Sequence, residues 1–338
     1  MSLKDIAKRA SVSLATVSNV VNGYRPVSEE TRRKVQQAID ELGYTPNLSA
    51  RHLRHGRTGI VALAIPELMN PYFAELAGAA IEEARAHGYT LLMDYTDGDR
   101  DSELMLVEGW RERIIDGLVI SPVGLERADI LARKSDVPMV LIGESIYDVP
   151  YDHIAIDNLA ASHTAVQHLV SLNRNRIAFI GAHPDVNRQP AHLRLRGYQE
   201  ALASAGLAFD QALVSRTPQF GRQDGLVGMQ ALLALPQPPD AVFAYNDLIA
   251  IGAMHAILQA GLRIPEDIAV IGFDNIEDGR FSNPTLTTIS PDKERIGKLA
   301  VRQLIARVEG KPVDPPREMQ PPFRLVTRDS TLGAARRR

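Results

Sequence analysis

The chain has 338 residues, a formal net charge of −3 and no cysteine. The lack of cysteine excludes disulfide bonds, thiolate metal sites and a cysteine nucleophile. No apolar run approaches the roughly 18–20 residues of a membrane span, and there is no signal-peptide pattern, so we expect a cytoplasmic protein. The length exceeds one ordinary core, which predicts a small head and a larger body of about two domains.

The first 43 residues predict three short helices. In the segment 3–10 the apolar residues recur at helical spacing, namely Leu3, Ile6, Ala7 and Ala10. Ser11-Val12-Ser13 interrupts this stripe, and Ser13 can cap a second helix over residues 14–21. A third helix is expected to follow the cap Ser28 and to end at Gly43. Its inward stripe consists of Val35, Ala38, Ile39 and Leu42.

The second helix leaves a short, mostly polar face pointing outward. Its inward residues are Val17, Val20 and Val21, and its outward residues are Leu14, Ala15, Ser18, Asn19 and Asn22. The DNA major groove admits one helix and is read by side chains near that helix's N-terminal end. The pattern predicts a helix-turn-helix, with a helical bundle that binds a protein as the alternative.

Charge is distributed unevenly along the chain. Residues 1–57 contain ten Lys and Arg against five Asp and Glu, a balance of +5, so residues 58–338 carry −8. A basic head on an acidic body is expected when one module meets phosphate and the other does not. This asymmetry favours the DNA-binding interpretation.

The segment that follows the head is too short to be a stable helix alone. Residues 47–54 (NLSARHLR) are good helix formers between Pro46 and Gly56, but eight residues fall short of the roughly 12–15 needed in water. We therefore expect this segment to fold only when a partner offsets its ordering cost.

From Gly59 onward, short β-branched strands alternate with amphipathic helices, which is typical of parallel sheets covered on both faces. The common nucleotide-binding, metalloprotease and serine-hydrolase motifs are absent, and the nine histidines are scattered. We therefore predict no enzyme activity, no cofactor and no metal site.

The chain resembles the LacI–GalR family of bacterial transcription regulators along essentially its whole length. The resemblance rests on LKDIAKRASVSLATVSNVVNG, on the segment from RPVSEETRRKV to GRTGIVALAIP, and on NPYFAEL, AIDNLAAS, RLRGYQEAL, AYNDLIAIGAM, VIGFDN, PTLTTI and LVTRDST. Ser11 departs from the family, which often has Gly there; Ser can adopt the required backbone angles at some strain.

The resemblance implies a multidomain protein, with a small all-α helix-turn-helix head and an α/β periplasmic-binding-protein-like body of two doubly wound parallel-sheet subdomains. It places the head at 1–45, a hinge helix at 46–57, the effector-binding and dimerisation domain at 58–330, and a tail at 331–338. The N-subdomain would take 58–158 and 290–319, and the C-subdomain 159–289 and 320–330. The tail lacks leucine heptads, so a homodimer is expected.

The expected partner of the head and hinge is double-stranded operator DNA. Asn19 can pair with an adenine, Leu14 and Ala15 can sense only thymine methyls or shape, and short polar side chains would hold phosphate. In the family, a Leu at the position of Leu53 enters the minor groove and bends the DNA. The predicted DNA-binding residues are Leu3, Leu14, Ala15, Thr16, Ser18, Asn19, Asn22, Ser28, Asn47, Ala50, Arg51 and Leu53.

The expected small-molecule site is a cleft at the C-terminal ends of the strands. Its predicted residues are Tyr72, Phe73, Asp97, Glu144, Arg194, Phe220, Asn246 and Asp274, with Ser121 also at a strand end. Five of them carry over from family ligand positions: Phe73, Arg194, Phe220, Asn246 and Asp274. Polar groups converging with aromatic faces suit a sugar.

Glu144 stands where many relatives have Arg, which disfavours anionic sugars and favours a neutral one. A purine or nucleoside is the alternative ligand, and corepression is the alternative to induction. The family implies that the effector separates the two hinges of a dimer and so releases the operator. A secreted sugar-binding transport protein is disfavoured, and we expect a cytoplasmic, nucleoid-associated bacterial repressor.

Overall fold

A computed structural model describes residues 3–22, 26–43, 56–111, 114–184, 189–311, 314–315 and 317–333. The chain separates into two compact units, Met1–Gly59 and Ile60–Arg338. No helix in the described ranges is long and apolar enough to cross a membrane.

The first unit contains the three predicted helices: α1 (Leu3–Ala10), α2 (Leu14–Asn22) and α3 (Glu29–Leu42). Their apolar stripes meet in one small core, as the helical spacing requires. Its buried members are Ile6, Ala10, Val17, Val35 and Ala38. The all-α head predicted from the sequence is confirmed.

The helix ends of the head are set by short polar residues and by left-handed backbone. Ser13 accepts a hydrogen bond from the Thr16 amide at 3.0 Å, which caps α2. Ser11 in the preceding turn has a φ of 54°, and Gly43 ends α3 at 59°. Serine thus occupies a conformation that favours glycine, which is the departure noted in the sequence.

The second unit contains two six-stranded sheets. The first sheet has the order β11-β5-β4-β3-β1-β2, and all its pairings are parallel. Its strands are β1 (Ile60–Ile65), β2 (Thr90–Tyr95), β3 (Gly117–Ile120), β4 (Met139–Ile142), β5 (Asp152–Ile154) and β11 (Glu318–Met319). We call this sheet and the helices packed on it the first lobe.

The second sheet has the order β12-β10-β9-β8-β6-β7 and is parallel except for β12, which pairs with β10 in the antiparallel sense. Its strands are β6 (Ile177–Ala182), β7 (Val214–Arg216), β8 (Ala241–Ala244), β9 (Ala269–Phe273), β10 (Thr287–Pro291) and β12 (Phe323–Val326). This sheet and its helices form the second lobe. The doubly wound α/β body predicted from the sequence is confirmed.

Helices cover these sheets, as parallel strands require. They are α4 (Pro71–Ala86), α5 (Arg100–Val107), α6 (Arg127–Ala132), α7 (Asn158–Ser171), α8 (Gln189–Ser204), α9 (Arg222–Leu233), α10 (Asp247–Gln259), α11 (Glu277–Phe281), α12 (Lys293–Val308) and α13 (Asp329–Leu332). Helices α9 and α10 cross very closely, since a Cβ added to Gly252 would lie 1.9 Å from the Arg222 carbonyl oxygen.

The chain passes between the lobes three times. It leaves the first lobe between β5 and α7 and returns after β10, because α12 packs on α4 and on the first sheet. It then adds β11 to the first sheet before β12 completes the second. Each sheet is therefore closed by a strand from the last part of the chain.

Candidate functional site

The outward face of α2 is accessible in the first unit. Leu14 is 44% exposed and Ala15 is exposed, while Thr16, Ser18 and Asn19 are half-buried. The Thr16 hydroxyl lies 2.8 Å from the Ser13 hydroxyl, so it is shared with the helix cap. Asn22 ends the helix.

Two other predicted DNA contacts have structural roles in the head. Ser28 caps α3 by accepting a hydrogen bond from the Thr31 amide at 3.3 Å, and Leu3 packs half-buried against the helical core. The predicted hinge contacts Asn47, Ala50, Arg51 and Leu53 lie outside the described residues.

In the second unit, a cavity of about 100 Å³ lies at the C-terminal ends of strands from both sheets. It brings together most of the residues predicted for the small-molecule site: Tyr72, Phe73, Ser121, Glu144, Arg194, Phe220, Asn246 and Asp274. This is the position expected for a ligand in open parallel sheets.

Two pairs of aromatic rings line the cavity. Tyr72 and Phe73 begin α4 and meet edge to face at 5.1 Å between centroids. Phe220 and Tyr245 are stacked at 4.0 Å. Asn70 caps α4 by accepting a hydrogen bond from the Tyr72 amide, which fixes the first pair. The cavity thus has flat apolar faces contributed by both lobes.

Arg194 is held rigidly in the second lobe and is only 6% exposed. Its Nε donates to the Asn158 side-chain oxygen at 2.7 Å, and its Nη1 donates to the Tyr245 carbonyl at 2.5 Å. The guanidinium also lies 3.6 Å from the centroid of the Phe273 ring and 4.4 Å from that of Tyr245. A guanidinium fixed in this way can donate its remaining N–H groups to a ligand.

Two buried carboxyl groups line the cavity near this arginine. Burial raises the pKa of Asp274 to about 7, against the lowering effect of Arg194 and Lys293. Burial also raises the pKa of Glu144, although the Ile156 amide donates a hydrogen bond to its Oε1 at 3.0 Å. The Asp274 carboxylate accepts no hydrogen bond from any residue in the described ranges, so its acceptors are available to a ligand.

The side chain of Asn246, predicted from the sequence to bind a ligand, makes most of its hydrogen bonds to the surrounding backbone. Its side-chain oxygen caps α10 through the Ile249 amide, and its Nδ2 donates to the Phe220 carbonyl at 2.9 Å. The adjacent Asp247 accepts hydrogen bonds from Thr288 and from the Ile276 amide. Asn246 therefore positions the Phe220 wall and has one amide hydrogen left for a ligand.

Asp97 lies apart from the other predicted ligand residues. It does not line the cavity but a neighbouring concavity, where the Tyr95 hydroxyl donates to it at 2.6 Å. Sequence reasoning missed Glu67, Asn70 and Tyr245, which do line the cavity. Tyr245 follows β8 directly, so its place at a strand end was a signal that could have identified it.

A three-helix DNA-reading head and a two-lobed α/β body with a polar, aromatic-lined cavity define a ligand-responsive DNA-binding protein. Residues 2–47 match the model for bacterial regulatory proteins of the lacI family, and residues 166–331 match a periplasmic binding protein-like domain. The chain belongs to the LacI family and is a transcriptional repressor of that type.

Known relatives agree with this assignment over nearly the whole chain. The ribose operon repressor of Escherichia coli (strain K12) is 36% identical over 308 residues, which cover 90% of this chain and 92% of that protein. The lac repressor dimer bound to operator and the anti-inducer ONPF superposes with a TM-score of 0.78 at 28% identity, covering 98% and 99% of the chains. The transcriptional regulator CelR–cellobiose complex gives 0.71 at 30%, with the same coverage.

Proposed function

We propose that the cavity binds a small neutral sugar and that its occupancy releases the protein from a palindromic operator. The arrangement that supports this is the Asp274 carboxylate, which accepts no hydrogen bond from the described residues, near the fixed Arg194 guanidinium and between two aromatic faces. Such a set offers acceptors and donors to hydroxyl groups, and flat walls to the C–H face of a sugar ring.

The charges of the cavity favour an uncharged ligand over an anionic one. Three acids line the cavity, Glu67, Glu144 and Asp274, against one basic residue among the described lining, Arg194. Burial already raises the pKa of Glu144 and of Asp274, so a phosphate or carboxylate would bind only if these acids took up protons. The names of the ribose operon repressor and of the CelR–cellobiose complex point to sugars in related proteins. A purine or nucleoside is the second candidate, because the stacked Phe220 and Tyr245 could also hold a base.

We assign operator reading to α2 and to the hinge segment 46–57. On α2, Asn19 would read an adenine, and Leu14 and Ala15 a methyl group or shape. Phosphate would be held by Thr16, Ser18 and Asn22 of α2 and by Ser28 at the start of α3. The head (1–45) and the hinge would thus bind the operator, and the body (58–330) would bind the effector. The protein would act in the cytoplasm, where its operator lies.

A homodimer would bring two such heads onto one palindrome. Large apolar side chains are exposed on both lobes, including Tyr95 (56%), Trp110 (64%) and Phe281 (80%). Tyr95 ends β2, the outer strand of the first sheet. An open edge strand is a surface that a partner can cover, and the relative in the solved complex is a dimer.

The test is a thermal-shift screen followed by operator release. The purified protein is incubated with D-ribose, D-glucose, D-galactose, cellobiose, adenine or adenosine, and any compound that raises the melting temperature is added to the protein bound to labelled palindromic DNA selected from a random pool. We expect a neutral sugar to stabilise the protein, to release the DNA and to be recovered chemically unchanged, as a regulator without enzyme activity requires.

The variant Asp274→Ala should lose the shift but keep DNA binding, and Asp136→Ala, at an exposed aspartate, should behave as the parent. Stabilisation by the nucleobase or nucleoside alone would favour the second candidate. An effector that tightens DNA binding would indicate corepression.

A further inference from the structure

A buried lysine contacts the backbone of a cavity residue, at the point where the chain returns from the second lobe to the first. Lys293 is the first residue of α12 and is only 7% exposed. Its Nζ donates to the carbonyl oxygens of Asp274 at 2.7 Å and Asn275 at 3.0 Å, and lies 2.7 Å from the Glu75 carboxylate. The three donors of the ammonium are therefore all engaged.

These three partners come from both lobes, and one of them, Asp274, lines the cavity. Asp274 and Asn275 form the loop after β9 in the second lobe, and Glu75 lies on α4 in the first lobe, one turn after Tyr72. Helices α4 and α12 pack so closely that a Cβ at Gly297 would lie 2.6 Å from the Leu76 carbonyl oxygen. Lys293 thus belongs to a rigid pair of first-lobe helices, yet it binds the backbone of a second-lobe ligand residue.

The Asp274 loop is also held by groups within its own lobe. The Asn275 amide donates to Thr288, the Ile276 amide donates to Asp247, and Arg328 donates to the Asn275 side chain. The φ angles of Asp274 and Asn275, 109° and 51°, are fixed by this network. The loop therefore has anchors that do not depend on the position of the first lobe.

A buried ammonium is stable only while its charge is paired and its donors are satisfied. If the first lobe moved relative to the second, Lys293 would move with Glu75 and would lose the two carbonyls. The contact is therefore favourable in one arrangement of the lobes, as a two-state coupling element must be.

We propose that Lys293 is a positioning residue that ties the Asp274 loop to α4 and thereby couples the effector cavity to the relative position of the two lobes. This proposal rests on the proposed function, because it takes Asp274 to be a residue that binds the effector. Its test requires neither effector nor DNA, so failure of the link and failure of the proposed function are distinguishable.

The experiment measures the distance between the lobes in the free protein. Because the chain has no cysteine, Ala128→Cys on α6 and Ala203→Cys on α8, both exposed, give one spin-label pair per subunit, and dilution with unlabelled protein removes distances between subunits. Lys293→Met cuts the link at the lysine. Glu75→Gln removes the half-exposed carboxylate that holds the ammonium against the two carbonyls and keeps the proposal testable if the first variant fails to fold.

We expect one narrow distance distribution for the parent and a roughly twofold wider or shifted one for each variant. The double variant should be no wider than either single one, because both changes break the same link. Lys298→Met removes an outward lysine of the same helix, paired with Glu294, and should match the parent. A parent-like distribution in Lys293→Met or Glu75→Gln, or effects that add in the double variant, would overturn the proposal.

Discussion

Replacing Asp274 by Asn should make the protein more stable while it loses its effector. The Asp274 carboxylate is 6% exposed and accepts no hydrogen bond from the described residues, and burial raises its pKa to about 7. Asn has a similar shape, carries no charge and tolerates the φ of 109° at this position. The change therefore removes a buried charge with little disturbance of the loop.

The magnitude and its pH dependence follow from the pKa. An acid whose pKa is higher in the folded than in the unfolded state destabilises the fold progressively as the pH rises from its unfolded value, and the penalty is complete above its folded value. For Asp274 this window runs from 3.8 to about 7. At about 1.4 kcal/mol per pH unit the limit is about 4 kcal/mol, and water that reaches the cavity lowers the expected gain to about 2–4 kcal/mol.

Urea unfolding of parent and variant at pH 5 and pH 8 tests this reasoning. The gain in the free energy of unfolding should be largest at pH 8 and should shrink at pH 5, where the parent carboxyl is protonated in the fold. Effector affinity should fall about tenfold or more, the value of a lost charge-assisted hydrogen bond. Equal stabilities at pH 8, or a gain that does not change with pH, would show that the carboxylate is compensated and would refute the argument.

Three further predictions concern the head, the hinge and the body. Leu53→Ala should weaken binding to a bent palindrome by about 1–3 kcal/mol without altering the unfolding of the body; unchanged affinity would show that Leu53 does not bend DNA by entering the minor groove. Asn19→Ala should relax base preference at one symmetric position per half-site in a binding-site selection, whereas uniform loss over all bases would assign Asn19 to phosphate. Gly252→Ala should cost about 3 kcal/mol or more, because its Cβ would overlap the Arg222 carbonyl. Its control Gly78→Ala, with open space around the helix position, should stabilise by about 0.5–1 kcal/mol; equal melting temperatures for the two variants would contradict the close crossing of α9 and α10.

Local sequence patterns were sufficient to predict the helical head and the alternation of strands and helices along the body. Helical spacing identified the residues that became the head core, and the caps Ser13 and Ser28 are those that the structure uses. Strand ends identified Phe220 and Asp274, because parallel strands bring their C-terminal ends to one edge. Arg194 lies within α8 and was identified by the family resemblance instead. Helix caps and apolar stripes depend on residues close together in sequence, and the position of a strand end depends only on the parallel direction of the strands.

The structure differs from the sequence-based expectation where the position or bonding of a side chain depends on residues distant in sequence. Asp97 also follows a strand, but β2 is the outermost strand of its sheet, so its end lies beside the cavity rather than in it. The amide of Asn246 was expected at a ligand, and its bond to the Phe220 carbonyl depends on a loop 26 residues away. Lys293 gave no signal, because its three partners come from two separate segments.

The way the last strands close both sheets has a consequence for synthesis on the ribosome. Helices α1, α2 and α3 form a head with its own small core, which can fold while most of the chain is still unmade. Neither sheet has its full set of strands until Glu318–Met319 and Phe323–Val326 have emerged. A message cut short after residue 310 would therefore yield a head attached to two unfinished lobes, because the strands that complete both sheets lie in the 28 residues that follow.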